Sequence, residues 1–199
     1  MKWFTDPDEV AEERAAAAAL RRLPASPRVV AVCSGAGAAG VTSVCVGIGA
    51  TLAALWPGKV AYAGLLEAPA IAGVHVEPET MWTDQVTPET VAALRERFGV
   101  ILLDLGAHAG RTTRRLLSTA DRVLVVTDQD GRGRERALAR VTSVVPATRT
   151  AVVIRDGQPG EHRFGLPVDK AFAQPGPDLL ERAKPVTCRA LLRLAAWCV

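Results

Sequence analysis

The sequence predicts a doubly wound α/β fold with a mostly parallel sheet flanked by helices, and three observations support this class. Apolar runs that suit buried strands alternate with helical patterns along the chain. One run, Gly99 to Gly106, stays apolar up to Asp104, as a central parallel strand with two buried faces requires. A glycine-rich turn, Ser34 to Gly40, joins a strand of β-branched residues to a helix, which is typical of α/β proteins that bind anions.

Length and composition limit the domain organisation and the function classes that the sequence allows. The chain has 199 residues, of which 49% are hydrophobic and 23% charged, and its net charge of +3 does not demand a nucleic-acid partner. We expect a helical leader over residues 1–27 and one α/β domain over residues 28–199. No apolar run reaches the roughly 20 uninterrupted residues of a membrane span. The four cysteines lack C-x-x-C spacing, so they favour buried thiols in a reducing cytoplasm over disulfides or a metal site.

The first half of the chain is predicted from caps, periodicity and breakers. Asp6 provides an N-cap for an alanine-rich leader helix, and Thr87 and Thr90 are both candidate caps of a helix in which Val91 and Leu94 share one face. The predicted elements are a leader helix from Asp6 to Arg22, a strand near Val29, a helix over Val41 to Leu55, a strand near Val60, an irregular stretch from Pro69 to Pro88, and a helix from Thr87 to Arg97.

The second half repeats the alternation of strand and helix. The predicted elements are a strand near Val100, a helix over Thr112 to Thr119, a strand near Val123, a helix over Arg134 to Val145, a strand near Ala151, a loop from Gln158 to Phe164, a short edge strand over Leu166 to Asp169, and helices over Asp178 to Ala183 and Pro185 to Val199. Sequential buried strands with helical crossovers give a parallel sheet covered on both faces.

The glycine turn fits two templates for binding phosphate groups. Gly35, Gly40 and Thr42 match G-x-x-x-x-G-K-[ST], except that Val41 stands where the lysine belongs. Gly35, Gly37 and Gly40 also match G-x-G-x-x-G, which is a weak signal in a stretch rich in glycine and alanine. A tight connection that binds nothing is the simplest alternative, because glycine is the usual residue in such turns.

Asp104 ends the predicted central strand. Ligands of parallel sheets gather at the carboxyl ends of the strands, so this carboxylate is placed to hold a Mg²⁺-bound water or to orient a nucleophile. The alternative is that Asp104 caps the turn that follows.

These landmarks together resemble the ParA/MinD group of P-loop ATPases, the deviant Walker A type. The loop residues match the family's phosphate loop, the run from Ile101 to Gly106 is similar to its Walker B strand, and Ala120 to Thr127 is similar to the stretch that follows. The resemblance covers Arg28 to Val199. It implies an ATP site with Mg²⁺, whose metal ligands would be Thr42 and Asp104. The implied nucleotide-binding residues are Gly35, Gly37, Ala38, Ala39, Gly40, Val41, Thr42 and Ser43.

The sequence departs from this family where the chemistry matters most. The signature lysine that reaches across a dimer falls on Ala36, and the phosphate-loop lysine falls on Val41. Phosphoryl transfer depends on such charges to stabilise the transition state, so Asp104 is expected to be vestigial as a catalytic residue. The acid after the second strand has only Glu67 as a substitute. The adenine-reading asparagine is absent too, and Arg155 and Asp156 stand in its place.

We therefore expect a degenerate ParA/MinD-like protein with weak or no ATP hydrolysis. It would act by binding, as a partner or regulator of a membrane-bound or DNA-handling machine. The resemblance implies a protein partner, and a second copy of the chain is one candidate. One alternative is an NAD(P)-dependent oxidoreductase, which the G-x-G-x-x-G turn and Glu67 would serve. Titration with NADH and with a fluorescent ATP analogue would separate these two functions.

Two further partners remain open. Arginines are frequent between Arg111 and Arg140, as in a nonspecific DNA-binding partition protein, although acids balance them and a solvated face is the interpretation we favour. The C-terminal helix carries Arg189 and Arg193 beside apolar residues, which suits peripheral contact with the inner face of a membrane. Packing of this helix against the edge of the sheet is the alternative we favour.

Overall fold

A seven-stranded parallel sheet organises the protein in the computed structural model, which describes residues 7–64, 71–76, 86–131, 133–157, 160, 163–174 and 176–199. The strand order is β3-β2-β4-β1-β5-β6-β7, and every ladder between described strands is parallel. The strands are β1 (Arg28–Ser34), β2 (Val60–Gly64), β3 (Val74–Val76), β4 (Val100–Gly106), β5 (Arg122–Thr127), β6 (Thr150–Arg155) and β7 (Arg163–Leu166). The prediction of a doubly wound α/β fold is confirmed.

The helices lie on both faces of the sheet. They are α1 (Pro7–Ala19), α2 (Val41–Leu55), α3 (Pro88–Arg97), α4 (Arg111–Thr119), α5 (Arg134–Thr142), α6 (Leu179–Arg182) and α7 (Pro185–Cys198). Along β1, Val30 and Val32 face the layer of α2 and α7, whereas Val29 and Ala31 face the layer of α3, α4 and α5. All four of these side chains are fully buried. This is why the central strands appear in the sequence as continuous apolar runs.

The six predicted strands exist, but one strand was missed and one prediction was displaced. β3 lies inside the stretch that we expected to be irregular; its three residues are only half-buried at the sheet edge, so no apolar run marks it. The last strand is Arg163–Leu166 and not Leu166 to Asp169. Pro167 has no N–H to donate to a ladder, so the strand ends before it. The other edge of the sheet therefore includes Arg163 and Phe164, which we expected in a loop.

The predicted cap of α3 is confirmed. Thr87 is its N-cap, and its hydroxyl accepts a hydrogen bond from Thr90 N at 3.3 Å. Val91 and Leu94 are buried on one face, as their spacing predicts. Asp6, the predicted N-cap of the leader helix, lies outside the described residues, as does Glu67.

Helix α7 packs on the body of the protein. Leu191 and Leu194 are fully buried in the α2-side core, and the Leu191 side chain lies so close to α2 that a Cβ on Gly47 would be 2.6 Å from its Cδ2. The leader helix α1 lies on α7, where Arg189 Nε pairs with Glu13 Oε1 at 3.3 Å. No described helix has the length and apolarity needed to cross a bilayer.

A buried carboxylate fastens α7 to the end of β7. Asp169 Oδ2 accepts hydrogen bonds from Lys184 N at 2.7 Å and from Thr187 Oγ1 at 2.8 Å, and Oδ1 accepts one from Ala171 N at 3.1 Å. The backbone hydrogen bond from Lys184 is the main cause that lowers the pKa of Asp169. This network closes the turn that follows β7.

The four cysteines are free thiols. Cys33, Cys45 and Cys198 are buried, and burial raises the pKa of Cys33 to about 12. Such thiols are poor nucleophiles at neutral pH. The expected burial holds for these three cysteines, whereas Cys188 is only half-buried.

Candidate functional site

The candidate site is built around the loop between β1 and α2. This loop leaves the carboxyl end of β1, which lies between β4 and β5 in the centre of the sheet. Gly40 is the N-cap of α2 with φ 87°, a left-handed conformation that favours glycine. Neither a capping side chain nor a first-turn acid occupies this end of α2. Its first backbone N–H groups and the positive end of the helix dipole therefore face the loop.

Gly35 permits a close approach between two loops. An added Cβ at this position would lie 2.6 Å from the carbonyl carbon of Gly133 and closer still to the carbonyl oxygen. Gly133 has φ 70° and is the N-cap of α5, so the loop after β5 rests directly on the loop after β1. Backbone contact with Gly133 is sufficient to require glycine at position 35. The sequence template instead explained this glycine by the close approach of a phosphate group to the backbone.

A cavity of about 390 Å³ opens beside the loop. One wall is the loop itself, and the other comes from the segments that follow β5 and β6. The lining residues are Ala36, Gly37, Ala38, Ala39, Asp128, Gln129, Asp130, Arg155, Asp156 and Val168. Arg155 and Asp156, which stand where the family resemblance places an adenine-reading asparagine, therefore lie at this cavity.

Arg155 reaches from the end of β6 to the amino end of α2. Its side chain lies against Gly40, where an added Cβ would be 2.8 Å from Arg155 Cδ and closer to the guanidinium. Among the described residues, Arg155 is the only cation that lines the cavity, whereas Asp128, Asp130 and Asp156 supply three carboxylates. The cavity thus combines a positive end at α2 with a negative opposite wall.

Asp104 is the centre of a buried polar cluster. It is 1% exposed at the end of β4, and its Oδ2 accepts a hydrogen bond from Thr42 Oγ1 at 2.6 Å and one from Tyr62 OH at 2.9 Å. Its Oδ1 accepts a hydrogen bond from Gly106 N at 3.1 Å. The structure therefore brings together Thr42 and Asp104, as the sequence predicts, and adds Tyr62.

Sequence reasoning missed Tyr62. The residue is fully buried on β2, one strand away from Asp104. Burial, and then the nearby charge of Asp104, raises the pKa of the Tyr62 hydroxyl, so it remains a neutral donor at physiological pH. A usable signal was present, because the only tyrosine of the chain stands inside a buried apolar strand and needs a hydrogen-bond partner there.

Comparison with solved structures decides the type of fold. A ParA family ATPase from Chlorobium tepidum TLS has a TM-score of 0.62 at 13% identity, over 85% of this chain and 99% of that one. MinD complexed with Mg-ADP from Pyrococcus horikoshii OT3 has a TM-score of 0.61 at 12% identity, over 85% and 94%. A MinC:MinD complex from Aquifex aeolicus gives 0.60 at 15% identity, over 84% and 94%. The sequence matches no family model, and no curated protein matches it significantly.

The chain has the ParA/MinD-like P-loop fold. Its strand order separates this fold from the alternative that the G-x-G-x-x-G turn suggested. In the dinucleotide-binding fold, the first strand lies between the second and the fourth. Here β1 lies between β4 and β5, and β2 lies between β3 and β4. The oxidoreductase interpretation therefore loses its structural support.

At the two positions where the ParA/MinD resemblance places lysines, this chain has no cation. Val41 is 6% exposed, and its side chain packs into the core on the α2 side of the sheet. Ala36 lines the cavity with a methyl group. Of the three lysines in the described part of the chain, none lines the cavity. Among the described residues that line the cavity, Arg155 is thus the cation that approaches the loop.

The hydrogen bonds around Asp104 leave its Oδ2 no free acceptor direction for direct contact with a divalent metal ion. The oxygens of Asp104 already accept three hydrogen bonds from the protein, and Thr42 uses its hydroxyl hydrogen for one of them. Among the described residues, no group of three His, Cys, Asp or Glu side chains could hold a metal ion. Mg²⁺ requires about six oxygen ligands in a regular octahedron. The roles of Thr42 and Asp104 as metal ligands stay predictions of the family resemblance.

Proposed function

We propose that this protein is a degenerate ParA/MinD-like P-loop protein that acts by binding and hydrolyses ATP weakly or not at all. The observation that carries the proposal is that apolar side chains stand at the two lysine positions of the loop and that the nearby carboxylate is already hydrogen-bonded. Val41 is buried in the core, Ala36 offers a methyl group, and Asp104 is held by three internal donors. Without a lysine or a metal ion, little remains to stabilise the charge that develops on transferred phosphoryl oxygens.

The charges that remain favour a ligand with fewer phosphates than ATP. The free N–H groups of α2 and the guanidinium of Arg155 can hold one phosphate group. The carboxylate of Asp156 lines the same cavity and repels additional negative charge. We expect the loop to bind ADP or AMP more tightly than ATP, and the Gly35–Ser43 segment to supply most of the contacts.

A protein partner completes the proposal. One structural neighbour is a MinC:MinD complex, and this likeness supports a role for the present chain as a partner or regulator of a DNA-handling or membrane-bound machine. A second copy of the chain is one such partner. Four free cysteines favour a reducing compartment such as the cytoplasm. The burial of Leu191 and Leu194 in the core leaves α7 a packing role and weakens the case for membrane contact through it.

Phosphate release from ATP tests the enzymatic part. The full chain is incubated with ATP and Mg²⁺ beside the variant Asp104→Asn and the matched control Asp121→Asn, which removes a carboxylate at the amino end of β5, at the opposite end of the strands from the loop. We expect all three proteins to release phosphate at the background rate. Turnover well above background that Asp104→Asn abolishes and Asp121→Asn preserves would refute the proposal. Calorimetric titration with ATP, ADP and AMP then measures the order of affinities.

Nucleic-acid binding is a second candidate, which one observation supports. Arg111, Arg114 and Arg115 are exposed within the first five residues of α4, at spacing that places them on one face, and the first turn of α4 contains no acid. Other arginines of this segment are used internally, since Arg140 donates to His108 O at 2.7 Å. Duplex DNA should bind with an affinity that falls steeply with salt if this face is used, and Arg114→Ala with Arg115→Ala should reduce that slope.

A further inference from the structure

We propose that Tyr62 takes the place of a divalent cation at Asp104 Oδ2: its hydroxyl and that of Thr42 occupy both acceptor directions of this oxygen, so that the loop takes up its ligand without a metal ion. This inference rests on the proposed function, because it concerns the same site. It assigns to Tyr62 a positioning role that neither the loop templates nor the family resemblance includes.

The geometry around Oδ2 leaves no room for a metal ion in this arrangement. A carboxylate oxygen offers about two lone-pair directions. Thr42 and Tyr62 donate to both of them on Oδ2, at 2.6 and 2.9 Å, and Gly106 N takes one direction on Oδ1. A cation that binds Oδ2 would have to displace the hydrogen bonds that Thr42 and Tyr62 donate to it.

The buried charge of Asp104 is stabilised without a cation. A buried carboxylate is costly unless it is paired or hydrogen-bonded, and Asp104 is 1% exposed. No ion pair to Asp104 exists among the described residues, so neutral donors perform this task. Tyr62 suits the role because its hydroxyl is fully buried beside the carboxylate and donates to Oδ2 at 2.9 Å. These hydrogen bonds stabilise the charged carboxylate in the interior without a cation.

Gly64 shows that the fold accommodates this arrangement. It pairs with Asp104 across β2 and β4, and the Tyr62 ring leans over it to reach the carboxylate. A Cβ at position 64 would lie 2.5 Å from the Tyr62 hydroxyl oxygen and 2.8 Å from its Cζ. A residue larger than glycine would push the hydroxyl from its place. Tyr62 and Gly64 thus form one unit directed at Asp104.

Mn²⁺ titration followed by electron paramagnetic resonance tests the inference, because it counts bound metal without any need for turnover. The proteins are the full chain, Tyr62→Phe, and Tyr62→Phe combined with Asp104→Asn, with circular dichroism as the check of folding. We expect no bound Mn²⁺ on the full chain, one bound ion on Tyr62→Phe, and loss of that ion in the double variant.

Several results would overturn the inference. Mn²⁺ binding to the full chain as tight as to Tyr62→Phe means that the hydroxyl does not exclude metal. Absence of binding to a folded Tyr62→Phe means that something else does, and binding that survives Asp104→Asn means that the ion sits elsewhere. If Tyr62→Phe does not fold, Gly64→Ala takes its place, because its methyl group displaces the same hydroxyl. Metal binding by the full chain without ATP turnover would overturn this inference and leave the proposed function standing.

Discussion

The contact between the two loops allows a sharp test with Gly35→Ala. The added methyl group would meet the backbone of Gly133, 2.6 Å from its carbonyl carbon and 3.0 Å from its Cα. Both partners are main-chain atoms, so no change of side-chain rotamer can relieve the overlap, and the loops after β1 and β5 must move apart. Overpacking of this kind costs about 1–3 kcal/mol, and we expect about 2–3 kcal/mol because the obstacle is backbone.

Gly37→Ala is the matched control in the same loop. A Cβ at Gly37 would have no neighbour within 4 Å, and this glycine does not have a positive φ. The substitution should therefore leave the stability unchanged or raise it by about 0.4–1 kcal/mol, because alanine restricts the unfolded chain more than glycine does. The comparison separates the steric effect of Gly133 from the general effect of replacing a loop glycine.

Urea denaturation and thermal melting measure both variants. For a chain of this size, each kcal/mol shifts the melting temperature by about 2–4 °C, so Gly35→Ala should melt about 4–12 °C below the parent. The slope of the urea transition should stay constant, which indicates a change in stability and not in compactness. Gly35→Ala as stable as Gly37→Ala would refute the reasoning, since the Gly133 contact would then impose no constraint.

Three further predictions follow from the buried side chains. Tyr62→Phe removes a donor to a buried carboxylate and should lower the free energy of unfolding by about 1.5–3 kcal/mol in urea titrations; a loss below about 0.5 kcal/mol would contradict the hydrogen bond to Asp104. Asp169→Asn should be destabilised at pH 7, and because folding lowers the pKa of Asp169, the gap to the parent should close as the pH falls below the ordinary value of 3.8; a gap constant from pH 7 to pH 2 would contradict this sign. Val41→Lys forces an ammonium group into the core and should cost about 2 kcal/mol or more, so melting like the parent would show that the side chain reaches solvent.

Local patterns predicted the elements that depend on neighbours in the chain. The cap at Thr87 and the helix after it involve residues within four positions, and both are confirmed. β7 shows the limit of this reasoning. The apolar residues around Leu166 marked a strand, but Pro167 set its end, and hydrogen bonds to β6 placed the strand over Arg163–Leu166. Edge strands with half-buried residues, such as β3, give no periodic signal at all.

The sequence by itself determined the alternation of strands and helices, the glycine turn before α2 and the acid at the end of β4, because these follow from periodicity, backbone preference and burial along the chain. Only the tertiary structure decided what surrounds that turn: Tyr62 on Asp104, the Gly133 backbone on Gly35, and Arg155 against Gly40. These pairs join residues 42 or more positions apart, and Tyr62 with Asp104 is the nearest of them. Their proximity depends on the order of strands in the sheet, which no local pattern specifies.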